Sequence, residues 1–164
     1  MTASVKRYHL EKSYWTDEDF DQMGWHDNHI YAISFGGNFE LLFDIDYIFK
    51  WVLTDKTYHF WIAPCTLVFE NAYNLQLNIS SWDMGVEIDG ISRKNPRRPK
   101  NADYIERQTE MDWLIDTHQG SISFRSVGYR QYVRQFPRYC STQVIDQRER
   151  GGISFDEIAI LPAG

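Results

Sequence analysis

Two histidines and three aspartates are the residues of this chain best suited to chemistry. His26, Asp27 and His29 sit in the run Trp25-His26-Asp27-Asn28-His29, and Asp44 and Asp46 follow on a second apolar-rich run. Imidazole nitrogens and carboxylate oxygens bind divalent metals, and either group can serve as a general base. If the two runs pair as a hairpin, Asp44 and Asp46 lie opposite the start of the first, near Asn28 and His29. The spacing matches no metal signature, and His26 and His29, three apart before a strand, need not point the same way. Asp and Asn in such a run also bond their own backbone, so the spacing favours a hydrogen-bonded turn. No metal and no cofactor is expected.

A second constellation is Arg125, Arg130, Arg134 and Arg138. Arg125 and Arg130 flank Gly128, and with Arg134 they are candidate contacts for an anion or a partner, because guanidinium forks grip carboxylates and phosphates bidentately. The competing and favoured reading is a set of surface ion pairs with acidic strand faces. A third feature is Tyr58, Phe60 and Trp61 in one run. Adjacent Phe60 and Trp61 point to opposite faces of a strand, so either one aromatic is a binding platform or the strand is buried on both sides. The chain has no GxSxG, P-loop, HExxH or CxxC motif, so nucleophile elbows, phosphate loops and common zinc sites lack support.

The elements that must position these residues are strands. Phe39, Leu41, Phe43 and Ile45 alternate with Glu40, Leu42, Asp44 and Asp46. Tyr73, Leu75, Leu77 and Ile79 alternate with polar residues, and so do Trp82, Met84, Val86 and Ile88. A period of two places alternate side chains on opposite faces of a strand. Gly36-Gly37-Asn38 has the residues of a tight turn, which predicts a hairpin of His29–Phe35 with Phe39–Asp46. Tyr47 to Leu53 is apolar without a clear period, and Thr54-Asp55-Lys56 reads as a turn. Strands are expected at Thr57–Ala63, Cys65–Glu70, Tyr73–Ile79, Trp82–Ile88, Thr109–Thr117 and Ser121–Val127. Tyr129–Arg134 continues the last of these, bent at Gly128, and Tyr139–Ile145 and Ile153–Ile160 close the chain. Pro64 should interrupt its run, because proline lacks the ladder N–H. Thr16 followed by Asp17, Glu18 and Asp19 predicts one short N-terminal helix ending near Gly24. Arg93 to Asn101 holds two prolines and five basic residues and reads as an exposed loop. Met1 to Lys12 has no clear pattern. The expected fold is mainly β: a single domain over 1–164, an antiparallel sandwich or barrel of about nine to eleven strands.

Bulk properties narrow the function. The net charge of −6 argues against a general grip on nucleic acid, which needs clustered Lys and Arg. The charge is uneven: residues 1–92 carry 5 Lys and Arg against 14 Asp and Glu, and residues 93–164 carry 12 against 9. Either folding brings the two halves together, or an acidic side remains to attract a basic partner. Two cysteines, Cys65 and Cys140, are too few for a disulfide scaffold, and Cys65 reads as a buried apolar residue. The first ten residues lack the apolar core of a signal peptide, and no apolar run approaches the ~18 residues of a membrane span. A cytoplasmic protein without membrane contact is expected.

Trp25 to Phe35, Glu40 to Val52 and Phe60 to Ile79 together resemble a group of small uncharacterised bacterial proteins. The shared pattern is Trp-His-Asp, a hairpin, and an apolar strand ending in Phe-Glu-Asn, here Trp25-His26-Asp27 and Phe69-Glu70-Asn71. It covers residues 25–79, about a third of the chain. The Trp-His-Asp start is also similar to some immunity proteins of bacterial toxin systems, which bind and neutralise a toxin. That likeness implies a protein partner and brings no catalytic residue with it. The sequence therefore reads as a non-catalytic protein-binding module, of immunity type on this resemblance. The alternatives are a metal-assisted hydrolase built on His26, Asp27, His29, Asp44 and Asp46, and a small-ligand β-barrel.

Overall fold

Alternation and tight turns build the centre of the molecule. The computed structural model describes residues 7–162, so the first six residues of the Met1–Lys12 stretch lie outside the described residues. Among the described residues there are ten strands: β1 (Tyr14–Thr16), β2 (His29–Phe35), β3 (Leu41–Thr54), β4 (Thr57–Glu70), β5 (Tyr73–Ile79), β6 (Val86–Arg97), β7 (Glu110–Thr117), β8 (Gly120–Ser126), β9 (Gly128–Val133) and β10 (Arg138–Cys140). They form one antiparallel sheet in the order β1-β9-β4-β3-β2-β6-β7-β8-β5, with β10 added beside β4. The path is open, ending on β1 and β5, so hydrogen bonding does not close it into a barrel.

The first hairpin forms as the pattern predicts, with Ile33 opposite Phe43 and Phe35 opposite Leu41. Its strand begins at Leu41 rather than Phe39, because Asn38 and Phe39 take left-handed φ values of 54° and 59° in the turn. The ambiguous Tyr47–Leu53 run extends β3 to Thr54. There Asp55 and Lys56, at φ 46° and 69°, supply the two positive angles of a type I′ turn into β4. Leu41, Phe43, Ile45, Cys65, Leu67 and Phe69 on these strands pack against Ile88, Trp113, Ile115, Ile122, Phe124 and Tyr129 on β6–β9 in one core. Gly128, at φ 148°, bends the chain where β8 passes into β9.

Two prolines behave differently from expectation. Pro64 does not interrupt β4: it falls between Ile62, the last residue paired with β10, and Cys65, the first paired with β9. Arg93–Arg97, expected as the start of an exposed loop, continues β6 against β7. Pro96 lies in a bulge between Lys94 and Arg97, on the edge of β6 that β2 leaves unpaired beyond His29↔Glu87. Arg97 Nη2 is held 2.6 Å from Asp112 Oδ1 and 3.0 Å from Glu110 Oε2. Only residues 98–101 of that stretch lie outside strand structure.

The predicted N-terminal helix is a 3₁₀ helix, Asp17–Gln22, and Thr16 caps it in a capping box with Asp19. A second 3₁₀ turn covers Ala102–Tyr104, and a single α-helical turn, α1 (Gln147–Arg150), follows β10. Of the two expected closing strands, Tyr139–Ile145 pairs only through β10, and Ile153–Ile160 forms no strand. The segment 145–160 instead lies across the outer face of β3, β4 and β9. Ile145 N–H donates to Asp46, Ser154 N–H to Asp44, Thr66 Oγ1 to the Asp156 carbonyl, and Ile160 N–H to the Val133 carbonyl. No helix among the described residues is long and apolar enough to cross a membrane.

Candidate functional site

The five His and Asp candidates divide into two places. Asp44 and Asp46 are two apart on β3 and so share its outer face, where the 145–160 segment covers both completely. Their partners come from far along the chain. The fully enclosed Arg150 guanidinium donates to Asp44 Oδ1 at 2.8 Å and Oδ2 at 2.9 Å, and its Nε to Asp46 Oδ1 at 3.2 Å. Arg134 Nη2 donates to Asp44 at 2.7 Å and its Nη1 to Thr66 Oγ1 at 2.8 Å. Tyr31 Oη donates to Asp46 at 2.7 Å, and its ring faces the Arg150 guanidinium at 3.8 Å. Burial and the Asp46 charge hold the Tyr31 phenol above its ordinary range. Burial disfavours the charged form of Arg150, but Asp44 and Asp46 outweigh it and hold the guanidinium more basic than usual. Two carboxylates and two guanidiniums balance in charge, and every carboxylate oxygen accepts a bond. The result is a buried ion network in which each carboxylate oxygen is engaged by a donor of the protein.

His29 is opposite Asp46 in register but is turned to the Tyr31 ring, 4.5 Å between centroids. The arginine constellation also disperses. Arg125 Nε lies 3.5 Å from Asp112, while Arg130 bridges Glu40 at 3.2 Å and Glu70 at 2.7 Å and also bonds Glu157. Arg125, Arg130 and Arg134 therefore face different carboxylates and do not converge on one anion. Phe60 and Trp61 are both buried, as the doubly covered strand requires, while Tyr58 is exposed.

His26 and Asp27 belong to a different group, which sequence reasoning only half identified. Asp27 sits in the turn before β2 at φ 62°, Glu87 and Asp89 share one face of β6, and His118 occupies the β7–β8 turn. Backbone bonds lock these elements together. Asp27 N–H donates to the Ile88 carbonyl at 2.7 Å, Ile88 N–H to that of Asn28 at 2.9 Å, and His118 N–H to that of Glu87 at 3.0 Å. His118 Nδ1 lies 3.2 Å from Glu87 Oε2, and its Nε2 lies 3.6 Å from Asp27 and 3.5 Å from Asp89. His26 closes the ring at 3.6 Å from both Asp27 and Asp89, stacked on Trp51. Gln143 Nε2 donates to Asp27 Oδ2 at 2.8 Å. The alternation of Glu87 with Asp89 and the turn at His118 were readable; the β6–β7 register that joins them was not.

A second feature is an open strand edge. After Ile30, β2 has β3 on one side and no strand on the other among the described residues. Two clefts run along this edge. One, of about 410 Å³, lies between His29–Ile33 and Ile79, Trp82, Gly85, Val86 and Ile122. The next, of about 510 Å³, lies between Phe35–Leu41 and Ala72–Leu75. Glu40 is the one carboxylate in the two linings; neither Ile30–Phe39 nor Asn71–Trp82 contains Asp, Glu, Lys or Arg. Phe35, Phe39 and Trp82 line the clefts at 69–71% exposure.

No family model, curated protein or solved structure matches this chain.

Proposed function

We propose that the protein is a binding module that receives an extended, apolar-faced segment of a partner protein against the β2 edge. One observation carries this reading: the Tyr31–Phe35 edge lacks a second strand, a charge or a proline, and is rimmed by large exposed apolar side chains. An unpaired edge presents free N–H and C=O groups, and soluble proteins usually blunt such edges with Lys, Pro or bulges. Here the bulge at Tyr31 is the one such device along the edge. Adding a strand satisfies the backbone groups, and flanking apolar pockets give specificity. Exposed aromatic clusters on a monomer mark interaction surfaces. The resemblance carried by Trp25-His26-Asp27 makes a toxin the first partner class to test, which would give the module an immunity-type role.

The test begins with sedimentation of the purified chain. A dimer abolished by the double variant Phe35→Asp, Trp82→Asp would assign the edge to a second copy and overturn the hetero-partner reading. Both side chains are mostly exposed, so the fold should tolerate these changes. Wild-type and variant chains then serve as paired baits. A protein recovered by wild type alone is purified and mixed with the chain, and backbone hydrogen exchange should slow across Tyr31–Phe35. Slowing elsewhere with that edge unchanged refutes strand addition.

A further inference from the structure

We propose that Asp27, Glu87 and His118 form a divalent-metal site, selective for zinc, with His26 and Asp89 as its flanking donors. One donor atom from each of the three lies within 4.8 Å of the other two. Zinc bonds to imidazole and carboxylate run at about 2.0–2.2 Å, so two of its ligand atoms lie no more than about 4.4 Å apart. Small side-chain rotations bring this set into that range. His26 and Asp89, each 3.5–3.6 Å from a member of the set, are placed to supply a fourth ligand.

Charge supports the assignment. The buried and half-buried carboxylates of the other networks sit beside Arg: Asp44 with Arg134 and Arg150, Glu70 with Arg130, Glu110 and Asp112 with Arg97, and Asp17 with Arg107. Asp27, Glu87 and Asp89 have no Lys or Arg within ion-pair distance among the described residues, only the two imidazoles. Three anionic groups that converge with two imidazoles make a mixed N/O donor set, which suits zinc over calcium. The site is also built in advance. The backbone bonds of Asp27, Ile88 and His118 fix its three elements, and the Gln143 amide orients the Asp27 carboxylate from behind, the role that outer-sphere groups play in metal sites. Bound zinc would tie the turn before β2, strand β6 and the β7–β8 turn together.

The experiment is competition of tag-free protein against a chromophoric zinc chelator, repeated with manganese and calcium. One zinc per chain is expected, with calcium failing to compete. His118→Ala and Asp27→Asn should each weaken zinc binding by at least about tenfold, the scale at which even outer-sphere changes act. Asn tolerates the left-handed φ of position 27, and His118 lies in an exposed turn, so both variants should fold, which circular dichroism checks. Asp83→Asn, an exposed acid outside the cluster, should bind zinc as wild type does. Cobalt, loaded in place of zinc, should give d–d absorption that His118→Ala alters. Zero stoichiometry, equal affinity in both site variants, or calcium bound as tightly as zinc would overturn the proposal.

Discussion

Replacing Arg150 with Met should be the most damaging single change at the outer face of β3. The wild-type guanidinium is fully enclosed and donates to Asp44, Asp46 and the Gly152 carbonyl, the last at 2.6 Å. Met fills similar apolar volume but donates nothing. Asp44 then keeps Arg134 and the Ser154 N–H, and Asp46 keeps Tyr31 and the Ile145 N–H. The balance of two negative and two positive groups becomes two against one, with the excess charge buried. Removing one partner of a buried ion pair costs about 3–5 kcal/mol. In a chain of this size that lowers Tm by roughly 6–20 °C. Urea unfolding followed by the fluorescence of buried Trp25 and Trp113 reads the loss, and hydrogen exchange should quicken across residues 145–160. Asp46→Asn in the Arg150→Met background should cost less than Asp46→Asn alone, with a coupling of about 0.5–3 kcal/mol. Arg138→Met, at a more exposed ion pair, should stay within about 0.5 kcal/mol of wild type. A loss below about 1 kcal/mol for Arg150→Met would refute the reading of this network as the clamp on the C-terminal segment.

Three other outcomes are expected. Gly85→Ala should destabilise by about 1–3 kcal/mol, because φ is 86° and the added Cβ would meet His29 Cε1 at 2.0 Å; an unchanged melting curve would show that the turn relaxes freely. Burial holds the His29 imidazole below its ordinary value of 6.5, so the unfolded chain takes up the proton first as pH falls. This contribution is whole above about pH 6.5 and is lost below it, so His29→Gln should flatten the stability–pH slope there; an unchanged slope counts against a buried neutral ring. Hydrogen bonds from Arg97 and Asn95 hold the Asp112 carboxyl down at about 2, so its support is present above the ordinary 3.8 and fades as pH drops through 2. In Arg97→Gln the carboxyl titration, followed by NMR, should move back toward 3.8, and no movement would refute the pairing.

Period-two alternation made β3 and β5 legible because each has one face on the core, and the Gly36-Gly37-Asn38 and Asp55-Lys56 turns set hairpin register locally. The same alternation left the surroundings of Asp44 and Asp46 open. It correctly put them on the outer face, but whether an outer face meets water depends on residues 145–160, about a hundred positions away. Pro64 and Pro96 were misjudged for a related reason. A proline is excluded only where its missing N–H has a strand to face, and neighbours in the sheet are not written in local sequence. The charge imbalance between halves carried the long-range information: Arg130, Arg134 and Arg150 of the basic half neutralise Glu40, Glu70, Asp44 and Asp46 of the acidic half. His118 is brought to Glu87 only by register, since Ile88 pairs with Thr117.

The distance between Asp46 and Arg150 also sets a clock on synthesis. The two residues are 104 positions apart, which a ribosome takes about 5–20 s to cover at ordinary elongation rates of 5–20 residues per second. Throughout that interval β3 can pair with β2 and β4, but its outer carboxylates have no guanidinium and must stay hydrated. The nascent hairpin therefore waits with one face wet and the apolar β2 edge uncovered, a species that invites chaperone capture. Chains ending before Gln147 should remain protease-sensitive and gain resistance once Arg150 is included; early resistance would show that the strands settle without it.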